Sequence, residues 1–336
     1  MSCSSRKPDF SQMLKVLNCE VPDRDVLFEL FLNDDIYERV TGKYENADSV
    51  DRKRAVIESF AKLGYDYATV GGSEFGFRGN PVHQLKSKSL NDAPSICSRD
   101  DFDKYEWVDP KTCHYGFLED IGPELPAGMK LAIIGPSGVL ENTIRLTGYD
   151  NLCLMLYDDE QLAADIFEGV GSRILEYYKI CVKYDSVGMI LANDDWGFRT
   201  QTMLSTEQMR KYVFPWYKEI VKITHEAGKP VILHSCGNFS QIIDDLYDIG
   251  FDGRHSYEDN IMPVEEAYDL FAGKMAVIGG IDLDFICRSS KDEIRGRSEK
   301  MLAKGREKGG YALGSGNSIP TFCPYEKYLA MISAVE

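Results

Sequence analysis

The sequence is poor in basic residues for its length. It holds 38 lysines and arginines against 54 aspartates and glutamates, a formal net charge of -16 over 336 residues. Nucleic-acid backbones and anionic membrane surfaces are both bound by clustered cations, which this composition does not supply. We therefore expect a protein with no nucleic-acid partner and no attraction to an anionic membrane.

Long apolar runs are also lacking, and none approaches the length that spans a bilayer. Residues 1–7 do not contain the apolar core of a secretory signal peptide. These absences predict no membrane segment and a cytoplasmic location. The nine cysteines show no regular spacing, so we interpret them as free thiols, with a metal role for any beside a histidine.

No low-complexity linker and no short internal repeat divides the chain, so residues 1–336 are expected to form a single domain. Short apolar segments without alternation indicate strands buried on both faces, as in a parallel sheet. Eight such segments with helices between them predict an α/β fold, a (β/α)8 TIM barrel. The alternative is a Rossmann-like open sheet, but no G-x-G-x-x-G follows an early strand. The candidate strands are Val26–Leu30, Tyr67–Val70, Leu131–Ile134, Val187–Leu191, Val231–Leu233, Phe251–Ser256, Met275–Ile278 and Tyr311–Leu313.

Two segments depart from this strand-and-helix rhythm. Residues 1–22 precede the first strand and form an N-terminal extension. Residues 71–129, an insertion after the second strand, are too long and too polar for a simple connection, and we expect a cap or lid. Between later strands, the capping-box spacing of Ser205 with Gln208 predicts a helix start, and Pro215 predicts an interruption of that helix.

The pentapeptide at 234–238, His-Ser-Cys-Gly-Asn, ends the strand Val231–Leu233. Because strand side chains alternate between faces, His234 and Cys236 point to the same side. An imidazole and a thiolate at the end of a buried strand make half of a zinc site. A buried histidine with an inert thiol is the alternative. Cys323 is the best-placed remaining thiol for a third ligand, although it could instead lie at a helix cap.

Polar residues also follow the other predicted strands, at the barrel end where active sites lie. Glu258 and His255 compete for a fourth ligand position or a supporting role around the metal. At least one of the residues 193–195 is expected in the substrate pocket, although a solvated strand end is the alternative. The further candidates at this rim are Glu29, Asn193, Asp194, Asp195, Trp196, Tyr257, Asp282 and Asn317.

These motifs together resemble the uroporphyrinogen decarboxylase superfamily. The resemblance rests on residues 234–238, on Gly279-Gly280-Ile281-Asp282, and on Gly314-Ser315-Gly316-Asn317 with the later Pro324-Tyr325-Glu326. It covers nearly the whole chain and is strongest from about residue 185. The H-x-C element is similar to that of the zinc-binding branch, the corrinoid-dependent methyltransferases.

For this chain the resemblance implies zinc at His234, Cys236 and Cys323. Two departures matter. The methylcobamide:coenzyme M enzymes place the later cysteine directly after the eighth strand, and this chain has Ser315 there. The decarboxylases carry substrate-binding arginines near the N-terminus, whereas the matching stretch here is Pro22–Val26, with Arg24 alone.

The function that the resemblance implies is zinc-dependent transfer of a methyl group from a small methylated donor to the corrinoid (cobalamin) of a partner protein. We favour O-demethylation of a methoxylated aromatic, with Asp194, Asp195 or Glu258 orienting the substrate or moving a proton. The remaining rim residues would then line the substrate pocket. The alternatives are a methylcobamide:thiol methyltransferase, a porphyrinogen decarboxylase and a non-catalytic binding subunit. Whether two copies of the chain form a homodimer is left open.

Overall fold

The computed structural model describes residues 6–45, 49–79, 90–91 and 93–335. Its centre is a 7-stranded sheet in which neighbouring strands are parallel and follow one another in chain order. Consecutive parallel strands joined by helices are compatible with the predicted barrel. The strands are β1 (Tyr67–Gly71), β2 (Lys130–Ile134), β3 (Val187–Asn193), β4 (Val231–His234), β5 (Gly253–His255), β6 (Ala276–Ile278) and β7 (Tyr311–Ala312).

The segment Val26–Leu30, predicted as the first strand, does not form a ladder. It makes one parallel bridge, between Leu27 and Leu313, flanked by backbone hydrogen bonds of 2.7 and 2.8 Å. On its other side the Tyr67 hydroxyl of β1 donates to Glu29 O at 2.6 Å and accepts from Glu29 N–H at 2.8 Å. The Tyr67 side chain thus occupies the N–H and C=O groups of Glu29, which a strand ladder with β1 would need. Within the described residues, the prediction of eight strands is corrected to seven strands and one bridged segment.

Helices connect the strands and cover the sheet. The capping box Ser205–Gln208 is confirmed, and a π turn, Met209–Val213, comes directly before the helix that holds Pro215 in its first turn. The α-helices are α1 (Phe10–Leu17), α2 (Asp34–Thr41), α3 (Ser49–Leu63), α4 (Arg99–Lys104), α5 (Gly116–Asp120), α6 (Val139–Thr147), α7 (Tyr149–Asp158), α8 (Glu160–Cys181), α9 (Thr206–Gln208), α10 (Phe214–Glu226), α11 (Ile243–Ile249), α12 (Val264–Phe271), α13 (Leu283–Arg288), α14 (Lys291–Lys308) and α15 (Tyr325–Ile332).

Helix α1, within the predicted N-terminal extension, packs across the amino-terminal ends of the strands. A Cβ atom on Gly188, at the start of β3, would lie 2.7 Å from the Phe10 ring of α1. A Cβ atom on Gly253, the first residue of β5, would lie 3.0 Å from Leu17. Small residues at these strand starts therefore make room for α1, which lies at the end of the sheet opposite the carboxyl-terminal rim.

The described part of the insertion 71–129 packs along α8 and contains α4 and α5. The Trp107 ring lies under the Arg173 guanidinium, 4.5 Å from the ring centroid, and Phe75 stacks on Tyr177. Residues 80–89 and 92 of this segment lie outside the described residues, so its lid role stays a prediction. None of the helices in the described ranges combines the length and apolar character needed to cross a membrane.

Candidate metal centre and active site

The carboxyl ends of β3, β4 and β5 lie side by side at one edge of the sheet. The parallel register pairs Asn193 with His234 and His234 with His255. Parallel strands in register present neighbouring side chains at the same height, so the chain that follows each strand meets at this edge. Asp195 follows β3 by two residues and Cys236 follows β4 by two residues.

Asp195, His234 and Cys236 form a group of candidate metal ligands, which we call the metal group. One ligand atom from each lies within 4.8 Å of the other two. The Cys236 Sγ atom is 3.8 Å from His234 Nε2, and the Cys236 backbone N–H donates to Asp195 Oδ1 at 2.9 Å. Zinc binds nitrogen and oxygen at about 2.0–2.2 Å and sulfur at about 2.3 Å, so one ion could reach all three atoms.

Hydrogen bonds behind His234 fix which of its nitrogens can bind a metal. His255 Nε2 lies 3.0 Å from the Ser315 carbonyl oxygen, which only accepts, so Nε2 carries the proton. The neutral His255 ring then accepts at Nδ1, which lies 2.7 Å from His234 Nδ1. His234 therefore donates from Nδ1 and keeps the lone pair of Nε2, the atom that faces Cys236. His234 Nε2 is therefore available to bind a metal together with Cys236 and Asp195.

Burial shapes the electrostatics of this group. It lowers the pKa of His234 and brings the pKa of His255 to about 4, so both rings are neutral at pH 7. Burial also raises the pKa of the Cys236 thiol, with a further contribution from the Asp195 carboxylate. A divalent cation is the group that stabilises such a buried thiol as a thiolate.

Cys323 is not a member of this group, so its role as the third metal ligand stays a prediction. The group within ligand distance contains Asp195 instead, and Cys323 is buried with its thiol beside Cys287 of α13. The loop before Cys323 is tied to the segment after residue 30, because the Asn33 side chain donates to Pro320 O at 3.0 Å. Because this tie joins residues far apart in the sequence, spacing alone could not place Cys323 relative to the strand ends.

Asn317, predicted to bind substrate, contacts the candidate ligand Cys236. Its Nδ2 atom lies 3.3 Å from Cys236 Sγ, and its Oδ1 atom accepts from Ser318 N–H at 2.8 Å. Glu29 is fully buried, and both of its carboxyl oxygens face Ser315. The structure therefore places Asn317 at the metal group and Glu29 behind it.

Asp194 and Trp196 are buried in the scaffold next to the site. The Asp194 carboxylate accepts from Leu140 N–H and Glu141 N–H at the start of α6, at 2.9 and 2.8 Å. It also accepts from Trp196 Nε1 and from the Tyr217 hydroxyl, each at 2.9 Å. With four donors and no exposed surface, Asp194 holds α6 against β3.

The predicted residues after β5 and β6 take different positions. Glu258 is partly exposed, and burial together with the Asp282 and Asp195 carboxylates raises its pKa, which places it near the metal group. Asp282 accepts from Phe285 N–H and from Asp259 N–H, both at 2.9 Å, and so caps α13. Tyr257 is buried beside Arg254, whose guanidinium lies 5.0 Å from the centroid of the Tyr257 ring.

Two glycines let the loops after β3 and β4 meet. A Cβ atom on Gly237, whose φ is +85°, would lie 2.0 Å from Gly197 O. A Cβ atom on Gly197 would lie 2.6 Å from the Asn238 backbone nitrogen. This close approach brings Asp195 and Cys236 together, so the glycine in the pentapeptide serves the site through contact as well as through its turn.

Glu141 was missed by the sequence reasoning. It lies in the first turn of α6, and burial followed by the Asp194 and Asp195 carboxylates raises its pKa to about 8. Its backbone is bound by Asp194, as described above. The predicted strand Leu131–Ile134 ends seven residues before Glu141, which was the available indication that polar residues after it would face the same rim.

Fold and site together define a parallel α/β protein with a candidate metal centre at the carboxyl ends of its strands. A family model described as uroporphyrinogen decarboxylase (URO-D) matches residues 94–336, and the chain belongs to this family. The predicted superfamily is thereby confirmed. A comparison with curated proteins gave no match.

Solved structures resemble the chain in fold. A methyltransferase from Methanosarcina mazei is 14% identical, covers 96% of this chain and 97% of its own, and has a TM-score of 0.70. A D-psicose 3-epimerase from Clostridium cellulolyticum H10 is 11% identical, covers 89% and 94%, and has a TM-score of 0.44. The first likeness supports the fold.

Proposed function

We propose that the protein is a zinc-dependent methyltransferase that moves a methyl group from a small methylated donor to a corrinoid protein. The observation that carries this proposal is the grouping of Asp195, His234 and Cys236, with His234 Nε2 left free by its hydrogen bonds. The match to the URO-D family and the fold shared with a methyltransferase support the same reading.

A sulfur, a nitrogen and an oxygen donor together suit zinc, which accepts all three and prefers four ligands. Asp195, His234 and Cys236 would hold the ion and leave one position for the substrate. When bound, zinc supplies a Lewis acid that offsets negative charge developing on a leaving oxygen. Asp195 was predicted to act on the substrate, and we now assign it to the metal.

The neighbouring residues of the chain take supporting roles in this proposal. Glu258, whose pKa is raised, is our candidate for delivering a proton to the leaving oxygen. Asn193, the last residue of β3, keeps its predicted role at the substrate pocket. Asp194 acts through α6 as a positioning residue.

A methoxylated aromatic remains the favoured donor. Phe198 and Tyr149 meet edge to face, with ring centroids 5.5 Å apart, and both side chains are partly exposed. The Phe198 carbonyl oxygen accepts from Asn238 N–H at 2.8 Å, which ties this aromatic pair to the loop that holds Cys236. The corrinoid partner would supply the methyl acceptor, and the chain then needs no nucleophile of its own.

Decarboxylation of a porphyrinogen is disfavoured by the position of Arg24. Its guanidinium forms an ion pair with buried Asp66, directly before β1, at the amino-terminal end of the sheet. Arg24 is therefore at the opposite end of the strands from the metal group. Asp195 and Glu258 also make the candidate site unfavourable for a substrate with many carboxylates.

The proposal is tested by metal content and by a transfer assay. We expect about one zinc per chain in the purified protein, lost in His234→Ala, Cys236→Ala and Asp195→Ala and kept in the control Cys323→Ser. Reduced corrinoid protein should then accept methyl groups from methoxylated aromatics. Full metal content in the first three variants would contradict the metal site. Methyl transfer only from methylated corrinoid to thiols would show that the proposed direction of transfer is reversed.

A further inference from the structure

Glu29 is a buried carboxyl group that the proposed chemistry does not use. None of its surface is exposed. Its Oε1 atom accepts from Ser315 N–H at 2.8 Å, and its Oε2 atom lies 2.7 Å from Ser315 Oγ. Ionised carboxylates are rarely buried without a cation, because the loss of water disfavours the charge. The protonation state of Glu29 therefore needs an explanation.

The hydroxyl of Ser315 decides between the two protonation states. Its Oγ atom is close to two oxygens, Glu29 Oε2 at 2.7 Å and Asn317 O at 2.6 Å, but a hydroxyl carries one proton. With Glu29 ionised, one of these contacts would join an acceptor to an acceptor. With a proton on Oε2, Glu29 donates to Ser315 and Ser315 donates to Asn317 O, so both contacts are hydrogen bonds.

The surroundings agree with the neutral acid. Burial raises the pKa of Glu29 to about 8. Its backbone is held by the Tyr67 hydroxyl, as described for the fold. The described ionisable groups that interact with it are uncharged at pH 7, with pKa values raised by burial: Tyr37, Tyr65, Tyr67, Tyr328 and Cys323.

We propose that Glu29 is held as a neutral acid and that the Glu29–Ser315 pair is a positioning unit for Cys236. The link is Asn317, whose backbone carbonyl accepts the Ser315 hydroxyl while its side-chain Nδ2 donates to Cys236 Sγ at 3.3 Å. Ser318 N–H holds Asn317 Oδ1, so the amide presents its donor to the sulfur. A donor aimed at this sulfur favours the thiolate that binds a metal.

Ser315 therefore serves both halves of the metal group. Its side chain reaches Cys236 through Asn317, and its carbonyl oxygen fixes His234 through His255. The resemblance implied a metal-binding cysteine in the slot that Ser315 occupies. In this chain Ser315 binds no metal at that position and instead holds Asn317 and His255, which contact the ligands Cys236 and His234. The inference rests on the proposed function only in treating Cys236 as a metal ligand.

The test compares Glu29→Gln with Glu29→Ala and Ser315→Ala in the full-length protein. A glutamine amide can accept from Ser315 N–H and donate to Ser315 Oγ, as the neutral acid does. We expect Glu29→Gln to bind zinc within about threefold of the wild type, measured by chelator competition, and the other two to bind about 10–100-fold more weakly. Asp66→Asn, a buried carboxyl at the far end of the sheet, is the matched control and should not change zinc affinity.

A second measurement needs neither metal nor substrate. Infrared difference spectra of the metal-free wild type against Glu29→Gln at pH 7 should contain the carbonyl stretch of a protonated carboxyl group. Absence of that band, or zinc affinity as weak in Glu29→Gln as in Glu29→Ala, would overturn the neutral acid. Failure of Glu29→Gln to fold would do the same, since the amide keeps both hydrogen bonds. If the wild type shows the carboxyl band but does not transfer methyl groups, the proposed function is contradicted and the neutral acid is not.

Discussion

At the scale of single residues, the orientation of His234 depends on a neighbour that binds no metal. His255 Nδ1 accepts a hydrogen bond from His234 Nδ1–H, and His255 Nε2–H donates to the Ser315 carbonyl oxygen. The sequence could predict that His234 and Cys236 share a face, because alternation along a strand is local. It could not choose between Asp195 and Cys323, because that choice depends on how two distant loops fold.

Replacing His255 with leucine should weaken the site without removing any ligand. His234 Nδ1 then loses its acceptor, and the ring is free to present either nitrogen. We expect zinc affinity to fall about 10–100-fold, measured by chelator competition. Nitrogen NMR of the metal-free protein should show mixed tautomers at His234. His225→Leu, at an exposed histidine paired with Asp252, is the control, and equal effects of both variants would contradict the role of His255.

At the scale of secondary structure, the sequence predicted the features that neighbouring residues determine and missed one that a tertiary contact determines. The capping box at Ser205 and the break at Pro215 are confirmed, because each depends on neighbours in the chain. The segment Val26–Leu30 has the composition of a strand but is bridged only at Leu27. The competing bond comes from Tyr67, which is distant in sequence and cannot be assigned from composition.

The contact between the loops after β3 and β4 predicts a large effect of one methyl group. Gly237→Ala would place a Cβ atom 2.0 Å from Gly197 O at a positive φ, so the loops must separate and Asp195 must leave Cys236. We expect a loss of about 2–4 kcal/mol in the free energy of unfolding and loss of zinc binding, measured by urea denaturation and metal analysis.

Gly296→Ala is the control for this substitution. Gly296 lies within α14, and a Cβ atom there meets nothing within 4 Å. Alanine is the better helix former, so stability should rise by up to about 1 kcal/mol with zinc binding unchanged. An unaltered zinc affinity in Gly237→Ala would show that the glycine contact does not position the ligands.

At the scale of the whole molecule, the alternation of strands and helices predicted the parallel sheet, because both faces of each strand are buried. The bridged segment Val26–Leu30 depends on a contact between the two ends of the chain, and the ligand set depends on the contact between the loops after β3 and β4. Glu29 and Ser315 are an example, since they are 286 residues apart and yet share two hydrogen bonds. Such pairings have no local signature in one sequence.

The buried acid also predicts how global stability depends on pH. The pKa of Glu29 rises from an ordinary value of 4.5 to about 8 on folding, so between these pH values the folded protein binds a proton that the unfolded chain has lost. The stability of the wild type relative to Glu29→Gln should therefore fall as pH rises from about 4.5 to about 8, by on the order of a few kcal/mol. Urea denaturation of both proteins at pH 5, 7 and 9 would contradict this if the difference grew with pH.

The most direct test of the proposed centre is X-ray absorption at the zinc edge of the protein loaded with one equivalent of zinc. The ligand set Asp195, His234 and Cys236 predicts one sulfur neighbour at about 2.3 Å, with the remaining neighbours nitrogen or oxygen at about 2.0–2.2 Å. Two sulfur neighbours, or a spectrum of hydrated zinc, would contradict it.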